Sequence, residues 1–135
     1  MDKRAFRAEA RARIAALDES CIIQSNSAIF ENLISLPEFV SASRVFTYLS
    51  MEREPDTRAL IVYCRKLGKT VALPCDCENS TMNFASLDCP TEELPIGAYG
   101  IPEPPKSAFR LTPQSGDILI VPALCFDESV CAARR

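Results

Sequence analysis

The hydrophobic pattern in the first third of the chain predicts two amphipathic helices. The first runs from Lys3 to Leu17, and apolar residues recur along it at helical spacing. These residues are Phe6, Ala10, Ile14 and Leu17. The second helix runs from about Cys21 to Leu36, and Pro37 ends it because proline interrupts a helix interior. Ile22, Ile29, Leu33 and Leu36 are predicted to lie on one face of it.

A strand, a helix and a second strand follow. The apolar run Val45 to Leu49 predicts a short buried strand, and Thr70 to Leu73, closed by Pro74, predicts the next one. Between them, Asp56 is placed to cap a helix that Gly68 ends. The buried stripe of this helix is predicted at Leu60, Ile61, Cys64 and Leu67. The three elements form one βαβ unit, which requires a parallel strand pair with a right-handed crossover.

The remaining pattern adds two strands and a stiff loop. Met82 to Leu87 alternates well enough to predict an edge or antiparallel strand. The segment Pro95 to Pro105 is rich in proline and glycine, which predicts an extended, stiff loop. Ile118 to Val121 is apolar on both faces and is predicted to be a central strand. We therefore expect one α/β domain over residues 1–135, with a three-layer, Rossmann-like, largely parallel sheet and helices on both faces.

Three loops should lie together at the carboxyl edge of such a sheet, where open α/β folds bind ligands. They are Ser50 to Pro55, Pro74 to Asn79, and the segment from Pro122 onward. In the first loop, Glu52 and Glu54 flank Arg53, and a carboxylate there can orient a ligand by accepting hydrogen bonds, although a solvated charged turn is the commoner role. Asp76 and Asp127 occupy equivalent positions after their strands and can serve Mg²⁺ or form turns.

Composition and charge narrow the classes of function. Apolar residues make up 47% of the 135 residues, which predicts a folded chain, and no run of about 18 apolar residues predicts a membrane span. The net charge is −3. The first thirteen residues carry +3, so the rest of the chain is acidic. The basic side chains of that first segment are Lys3, Arg4, Arg7, Arg11 and Arg13. This balance argues against nucleic-acid binding, whereas the basic helix can meet a small anion such as a nucleotide phosphate.

The counts of cysteine and histidine exclude further classes. Seven cysteines are scattered singly, which is typical of a reducing cytoplasm rather than a disulfide framework. The N-terminus lacks an apolar signal region, and this also favours a cytoplasmic location. The cluster Cys75, Cys77 and Cys89 lacks the C-x-x-C spacing of zinc sites and histidine is absent, so no zinc site is predicted. The usual general base at neutral pH is also missing.

Six segments carry a resemblance to a known family. In chain order they are Lys3-Arg4-Ala5-Phe6-Arg7, Tyr48-Leu49-Ser50-Met51-Glu52-Arg53-Glu54-Pro55-Asp56-Thr57, Gly68-Lys69-Thr70-Val71-Ala72-Leu73-Pro74, Met82-Asn83-Phe84, Gly100-Ile101-Pro102-Glu103-Pro104 and Asp117-Ile118-Leu119-Ile120-Val121-Pro122. Each is weak alone, but six in register are specific. The chain resembles the 5-formyltetrahydrofolate cyclo-ligases, also called methenyltetrahydrofolate synthetases, over nearly its whole length, from Lys3 to Asp127.

The resemblance implies an ATP-dependent ligase of one-carbon metabolism. The family closes the N5-formyl group of 5-formyltetrahydrofolate onto N10, which gives 5,10-methenyltetrahydrofolate, ADP and phosphate in the presence of Mg²⁺. A formamide carbon is a poor electrophile and its oxygen a poor leaving group, and phosphorylation of that oxygen corrects both faults. Phosphoryl transfer relies on positioning and on neutralising charge, so the absence of histidine is no objection.

The resemblance also assigns site residues and partners. It implies that Lys3, Arg4 and Arg7 bind ATP, that Leu49 lines the folate pocket and that Glu54 holds the folate. The loop Gly100 to Pro104 resembles the segment that walls this pocket in the family. No catalytic residue and no metal ligand is assigned. The expected partner is 5-formyltetrahydrofolate, with neither nucleic acid nor membrane, and the chain is expected to act as a monomer or with a completing chain.

The chain departs from the family pattern at its C-terminus. The family continues with a glycine-rich loop that cradles phosphate, whereas this chain has no glycine after Gly116 and continues as Glu128 to Arg135. We therefore expect a member of the family that lacks its C-terminal elements. Two alternatives to a working ligase stay open: a non-catalytic remnant that retains folate binding, and a structural α/β module that binds neither ligand.

Overall fold

The two N-terminal helices that the hydrophobic pattern predicts are present, and a short third helix that was not predicted follows them. The structure, a computed structural model, describes residues 2–78, 81–97 and 99–126, with only the backbone of residues 77 and 78. The helices are α1 (Lys3–Ala15), α2 (Glu19–Ser35) and α3 (Pro37–Ser41). Pro37 does end α2, and it also begins α3, because the first helical position needs no N–H donor.

The packed face of α2 is rotated from the predicted one. Leu33 packs against the core as expected, but its companions are Phe30 and Ile34. Ile29 and Leu36, which the pattern places on the same face as Leu33, are exposed. Helical spacing identifies the apolar positions, whereas the neighbouring elements decide which of them are covered.

The predicted βαβ unit is confirmed. Strand β1 (Arg44–Phe46) pairs in parallel with β2 (Thr70–Glu78), and α4 (Arg58–Lys66) connects them. The carboxylate of Asp56 accepts a hydrogen bond from the first helical N–H, that of Arg58, at 2.9 Å. At the other end Gly68 has a φ of +73°, and the N–H groups of Gly68 and Lys69 bond to the carbonyls of Arg65 and Cys64. This is the Schellman arrangement, in which glycine accepts the left-handed conformation without strain.

Pro74 does not end β2, contrary to the sequence prediction. The strand continues to Glu78, and Pro74 pairs with Phe84 of the antiparallel strand β3 (Thr81–Ser86). Strand β1 pairs with β2 only from Thr70 to Ala72. Pro74 lies beyond these paired residues, so no hydrogen bond to β1 requires an N–H there. Proline is therefore tolerated in the strand.

The sheet has the order β4-β3-β2-β1-β5, where β4 is Arg110–Leu111 and β5 is Ile118–Leu119. Four strands run in one direction and β3 opposes them, which confirms the α/β class with a mostly parallel sheet. The predicted central position of β5 is wrong for the described chain, where it pairs with β1 alone and lies at an edge. Leu119 is 48% exposed and Val121 is 63% exposed. An apolar run shows that a strand is suited to a buried position. It does not show that another strand or helix packs on both of its sides.

The core lies mainly on one face of the sheet. Side chains alternate between faces along β1, so Val45 belongs to the larger cluster and Phe46 to the smaller one. The larger cluster takes helical residues from α2, α3 and α4; the smaller one joins Phe46, Ala72 and Phe84, with Leu111 against it. Leu67, which was predicted in the buried stripe of α4, is 52% exposed. None of the described helices is both long and apolar enough to cross a membrane.

Candidate functional site

A pocket of about 840 Å³ lies at the carboxyl ends of β1 and β5. Its described lining includes Tyr48, Leu49, Met51, Glu54, Leu73, Pro74, Asp76, Met82, Ile96, Gly97, Tyr99, Ile101, Pro102, Glu103, Lys106 and Pro122. All three loops predicted from the sequence contribute to this lining, and so does the proline-rich loop. The volume falls in the range of about 300–1,000 Å³ that small-molecule sites occupy.

Glu54 stands on a tight turn that orients its carboxylate. The N–H of Glu54 donates to the carbonyl of Met51 at 3.1 Å, and the N–H of Met51 donates to Oε2 of Glu54 at 2.9 Å. Arg53 lies between them with a φ of +64°. Glu52, the other glutamate that the sequence singles out, is exposed and lies outside the lining. The structure therefore separates two carboxylates that the sequence alone does not distinguish.

Buried hydroxyl groups hold this loop against the start of α4. Thr57 Oγ1 donates to the carbonyl of Tyr48 at 2.7 Å and accepts from the N–H of Ser50 at 2.9 Å. The N–H of Thr57 donates to Ser50 Oγ at 3.1 Å, and the Tyr48 hydroxyl donates to the carbonyl of Pro55 at 2.8 Å. Thr57 and Ser50 are both buried, so the bonds between their groups are shielded from water, whereas the Tyr48–Pro55 bond is exposed. The sequence analysis missed this network.

The proline-rich loop doubles back on itself, whereas the sequence predicted an extended course. The N–H of Gly97 donates to the carbonyl of Ile101 at 2.8 Å, and the N–H of Glu103 donates to that of Pro95 at 3.0 Å. Gly97 also permits a close approach, because a Cβ there would lie 2.4 Å from Cδ of Glu103. The prolines stiffen the two arms and Gly100, with a φ of +70°, lies at the bend.

Charged groups are unevenly distributed around the pocket. Among the described lining residues, three are carboxylates, Glu54, Asp76 and Glu103, while Lys106 is the one cation. Asp76 has a φ of +43°, and its carboxylate accepts a hydrogen bond from the guanidinium of Arg110. The sequence analysis identified Asp76 but did not single out Glu103 or Lys106. Each of these two residues directly follows a proline of the proline-rich segment. Asn79 and Asp127, which the sequence placed at this edge, lie outside the described residues.

Burial disfavours the thiolate form of two core cysteines, Cys64 and Cys75. Arg110 also donates to the Cys75 thiol, but burial outweighs this contact and raises the pKa of Cys75. Burial likewise raises the pKa of the Cys64 thiol to about 11. Both groups are therefore protonated at neutral pH, when only a thiolate would attack a substrate. Neither thiol is among the described lining residues of the pocket.

The three basic residues assigned to ATP lie on α1 and not on the described wall of the pocket. Lys3, Arg4 and Arg7 fall within an arc of about 100° on the helix surface. Lys3 and Arg4 are exposed and Arg7 is half-buried. The Nε atom of Arg7 is buried and has no hydrogen-bond partner within the part of the chain that the structure describes. Such an orphaned donor is costly and fits a cation that binds an anion from outside the chain.

Comparison with known proteins gives a consistent result. The model of the 5-formyltetrahydrofolate cyclo-ligase family matches residues 1–129. A probable 5-formyltetrahydrofolate cyclo-ligase of Schizosaccharomyces pombe is 29% identical over 133 residues, which cover 96% of this chain and 65% of that protein. The Escherichia coli K12 5-formyltetrahydrofolate cyclo-ligase is 35% identical over 98 residues, covering 71% of this chain and 54% of that protein.

A solved structure agrees with these relatives. The NMR structure of Aquifex aeolicus 5,10-methenyltetrahydrofolate synthetase matches with a TM-score of 0.79 at 29% identity. The match covers 94% of this chain and 63% of that one. The chain thus spans less than two thirds of the length of each relative it is compared with here.

Proposed function

The chain belongs to the 5-formyltetrahydrofolate cyclo-ligase family, and on this premise we propose that it binds 5-formyltetrahydrofolate for ATP-dependent closure to 5,10-methenyltetrahydrofolate. The products of this reaction are ADP and phosphate. One observation carries the proposal: Leu49 and Glu54, assigned to the folate from the sequence, lie on the wall of the same 840 Å³ pocket. The doubled-back loop closes another side of that pocket through Ile101 and Pro102.

The lining suits the three chemical parts of a folate. Apolar side chains such as Leu49, Met82 and Ile101 offer surfaces against which flat rings can pack. The carboxylates of Glu54 and Glu103 can accept hydrogen bonds from ring N–H groups. Lys106 can bind the carboxylates of the glutamate tail. In this arrangement Glu54 and Glu103 bind the ring system and Lys106 binds the tail.

Glu54 serves as an orienting group in this proposal. The hydrogen bond from the Met51 N–H holds one carboxylate oxygen in place, and the buried Thr57 network fixes the loop that carries it. A substrate bound to a preorganised carboxylate keeps its formyl carbon near N10, which reduces the entropy cost of closing the ring. Glu54 thus contributes through position rather than through proton transfer.

The nucleotide would be held on α1. ATP supplies a phosphoryl group that turns the formyl oxygen into a leaving group when the nucleotide is bound. Lys3, Arg4 and Arg7 would neutralise phosphate charge there, and the orphaned Nε of Arg7 supports this use. The described residues contain no group of three or more metal-ligating side chains, and no residue is assigned to Mg²⁺. Magnesium bound with a nucleotide takes most of its ligands from phosphate and water.

We also propose a cytoplasmic location and action as a monomer or with a completing chain. Support for the location comes from five described cysteines that are free, which is typical of a reducing compartment. They are Cys21, Cys64, Cys75, Cys89 and Cys125.

The test is a direct assay of the purified chain. It is mixed with MgATP and 5-formyltetrahydrofolate, the methenyl absorbance is followed, and substrate binding is measured by calorimetry. We expect Glu54→Ala to abolish turnover and to weaken folate binding by about 10- to 100-fold, because a charge-assisted hydrogen bond is lost. Glu52→Ala is the matched control, since Glu52 lies in the same loop but outside the described lining.

The outcomes separate the alternatives. Turnover that requires Glu54 supports the ligase, whereas Glu54-dependent binding without turnover supports the non-catalytic folate binder. If calorimetry shows no folate binding, both are wrong and a structural role remains. Equal losses from Glu52→Ala and Glu54→Ala would contradict the assignment of Glu54.

A further inference from the structure

Arg53 occupies a backbone position that disfavours its own residue type. The turn from Met51 to Glu54 is closed by the hydrogen bond between the Glu54 N–H and the Met51 carbonyl, at 3.1 Å. Arg53 is the third residue of this turn and has a φ of +64°. A positive φ at the third position is typical of glycine or asparagine, because a larger side chain is strained there. The turn thus carries a side chain that its backbone geometry does not favour.

The guanidinium of Arg53 contacts the end of α1. Its Nη1 atom donates to the carbonyl of Ile14 at 3.0 Å and to that of Leu17 at 3.1 Å. The last carbonyls of a helix lack helical partners and carry partial negative charge, so a cation is well placed there. The contact joins the turn that orients Glu54 to the helix that bears Lys3, Arg4 and Arg7.

The residues of helix α1 are at most half-buried in the described structure. None of its residues is buried. Neither core cluster of the described chain includes a residue of α1. A helix with so little buried surface opens or tilts at low free-energy cost. Its orientation therefore depends strongly on the contact at its C-terminal end.

We propose that Arg53 is a positioning residue that couples nucleotide binding on α1 to substrate binding at Glu54. The inference rests on the proposed function, because it takes Lys3, Arg4 and Arg7 as the nucleotide contacts. A nucleotide at the N-terminal end favours one orientation of the helix. Arg53, about 17 Å away along the helix axis, passes that preference to the turn. The coupling is reciprocal, so each ligand tightens the binding of the other.

The test compares one affinity under two conditions. The Kd of 5-formyltetrahydrofolate is measured by calorimetry without nucleotide and with a saturating non-hydrolysable ATP analogue plus Mg²⁺. In the unaltered chain we expect the analogue to lower this Kd by about fivefold or more. In Arg53→Gly we expect a change of less than about twofold. Glycine accepts the positive φ, so the turn and the Kd without nucleotide should be retained within about threefold.

Two further variants separate coupling from a general effect on the fold. Arg53→Lys keeps a cation whose single nitrogen can donate to both carbonyls, and it should restore most of the coupling. Arg13→Ala removes another arginine of α1, whose ion pair is with Glu9 on the same helix, and it should leave the coupling unchanged.

Each result bears on the proposal. Loss of coupling in Arg53→Gly with recovery in Arg53→Lys supports it. Coupling retained in Arg53→Gly, or equally lost in Arg13→Ala, overturns it while the proposed function stands. An unaltered chain that binds both ligands independently also overturns the coupling alone, whereas one that binds neither overturns the proposed function as well.

Discussion

The proposed folate side of the candidate site and the proposed nucleotide side are built in different ways. The turn that carries Glu54 is tied to β1 and α4 by buried hydrogen bonds through Thr57 and Ser50. Helix α1 carries its cations on a surface without any buried residue among those described. The first region is preorganised by the fold, whereas the second depends on charge and on the contact with Arg53. Stability and ligand affinity should therefore change together in the first region and separately in the second.

The largest effect is expected from Thr57→Val. This change keeps the shape of the side chain but removes the donor to the Tyr48 carbonyl and the acceptor for the Ser50 N–H. Both backbone groups then lack this hydrogen-bond partner in a place shielded from water. We expect a loss of about 2–3 kcal/mol in the free energy of unfolding, measured by urea denaturation, together with weaker folate binding. Thr57→Ser retains the hydroxyl and is the control. A Thr57→Val chain as stable as the unaltered one would show that the network does not hold the turn.

A smaller and more selective effect is expected from Arg7→Met. The apolar stem is retained while the guanidinium is lost, so nucleotide affinity should fall by about tenfold, as measured by calorimetry. The free energy of unfolding should stay unchanged or rise slightly, because the removed Nε has no described hydrogen-bond partner. Arg11→Met, on the same helix, is the matched control for nucleotide affinity. If the free energy of unfolding of Arg7→Met fell together with its nucleotide affinity, the two regions would not differ in the way described.

The smallest effect is expected from the pair that anchors β5 beside the pocket. Arg44 donates to Asp117 from Nε at 3.0 Å and from Nη2 at 2.6 Å. These hydrogen bonds lower the pKa of Asp117. Because the folded pKa is depressed, the stabilisation is present above the unfolded pKa of about 3.9 and is lost as pH falls through the folded value.

Thermal unfolding between pH 2 and pH 7 checks this prediction. Asp117→Asn should lower the Tm near neutral pH by a few degrees, about what a loss of less than 1 kcal/mol produces. The difference from the unaltered chain should shrink as pH falls toward 2, because protonation of the folded-state carboxyl removes its charge. A constant difference across the whole range would mean that the charge of Asp117 does not contribute to stability.

Local features were the most predictable part of this protein. The pattern from Phe6 to Leu17 predicted α1, and Gly68 predicted the end of α4, because these depend on residues close in sequence. The edge position of β5, the passage of β2 through Pro74 and the rotated face of α2 could not be predicted in this way. Each is decided by which distant strand or helix happens to lie alongside.

The candidate site likewise has a part that could be predicted from the sequence and a part that depends on tertiary contacts. The family resemblance assigned Leu49 and Glu54 to the folate pocket, and both do line one pocket. Glu103 and Lys106 join them through a loop that turns back on itself, and Thr57 supports them through hydrogen bonds to Tyr48 and Ser50. Whether these residues hold a folate stays a prediction that the assays above test.

The sequence by itself determined the family resemblance, the βαβ unit and the residue types at the candidate site, because these follow from order and spacing along the chain. The tertiary structure decided which side of the sheet is covered and which carboxylate faces the pocket. It also decided that Arg53 reaches the end of α1. Those features depend on contacts between segments far apart in sequence, where packing and hydrogen-bond geometry select among arrangements that local patterns leave equal.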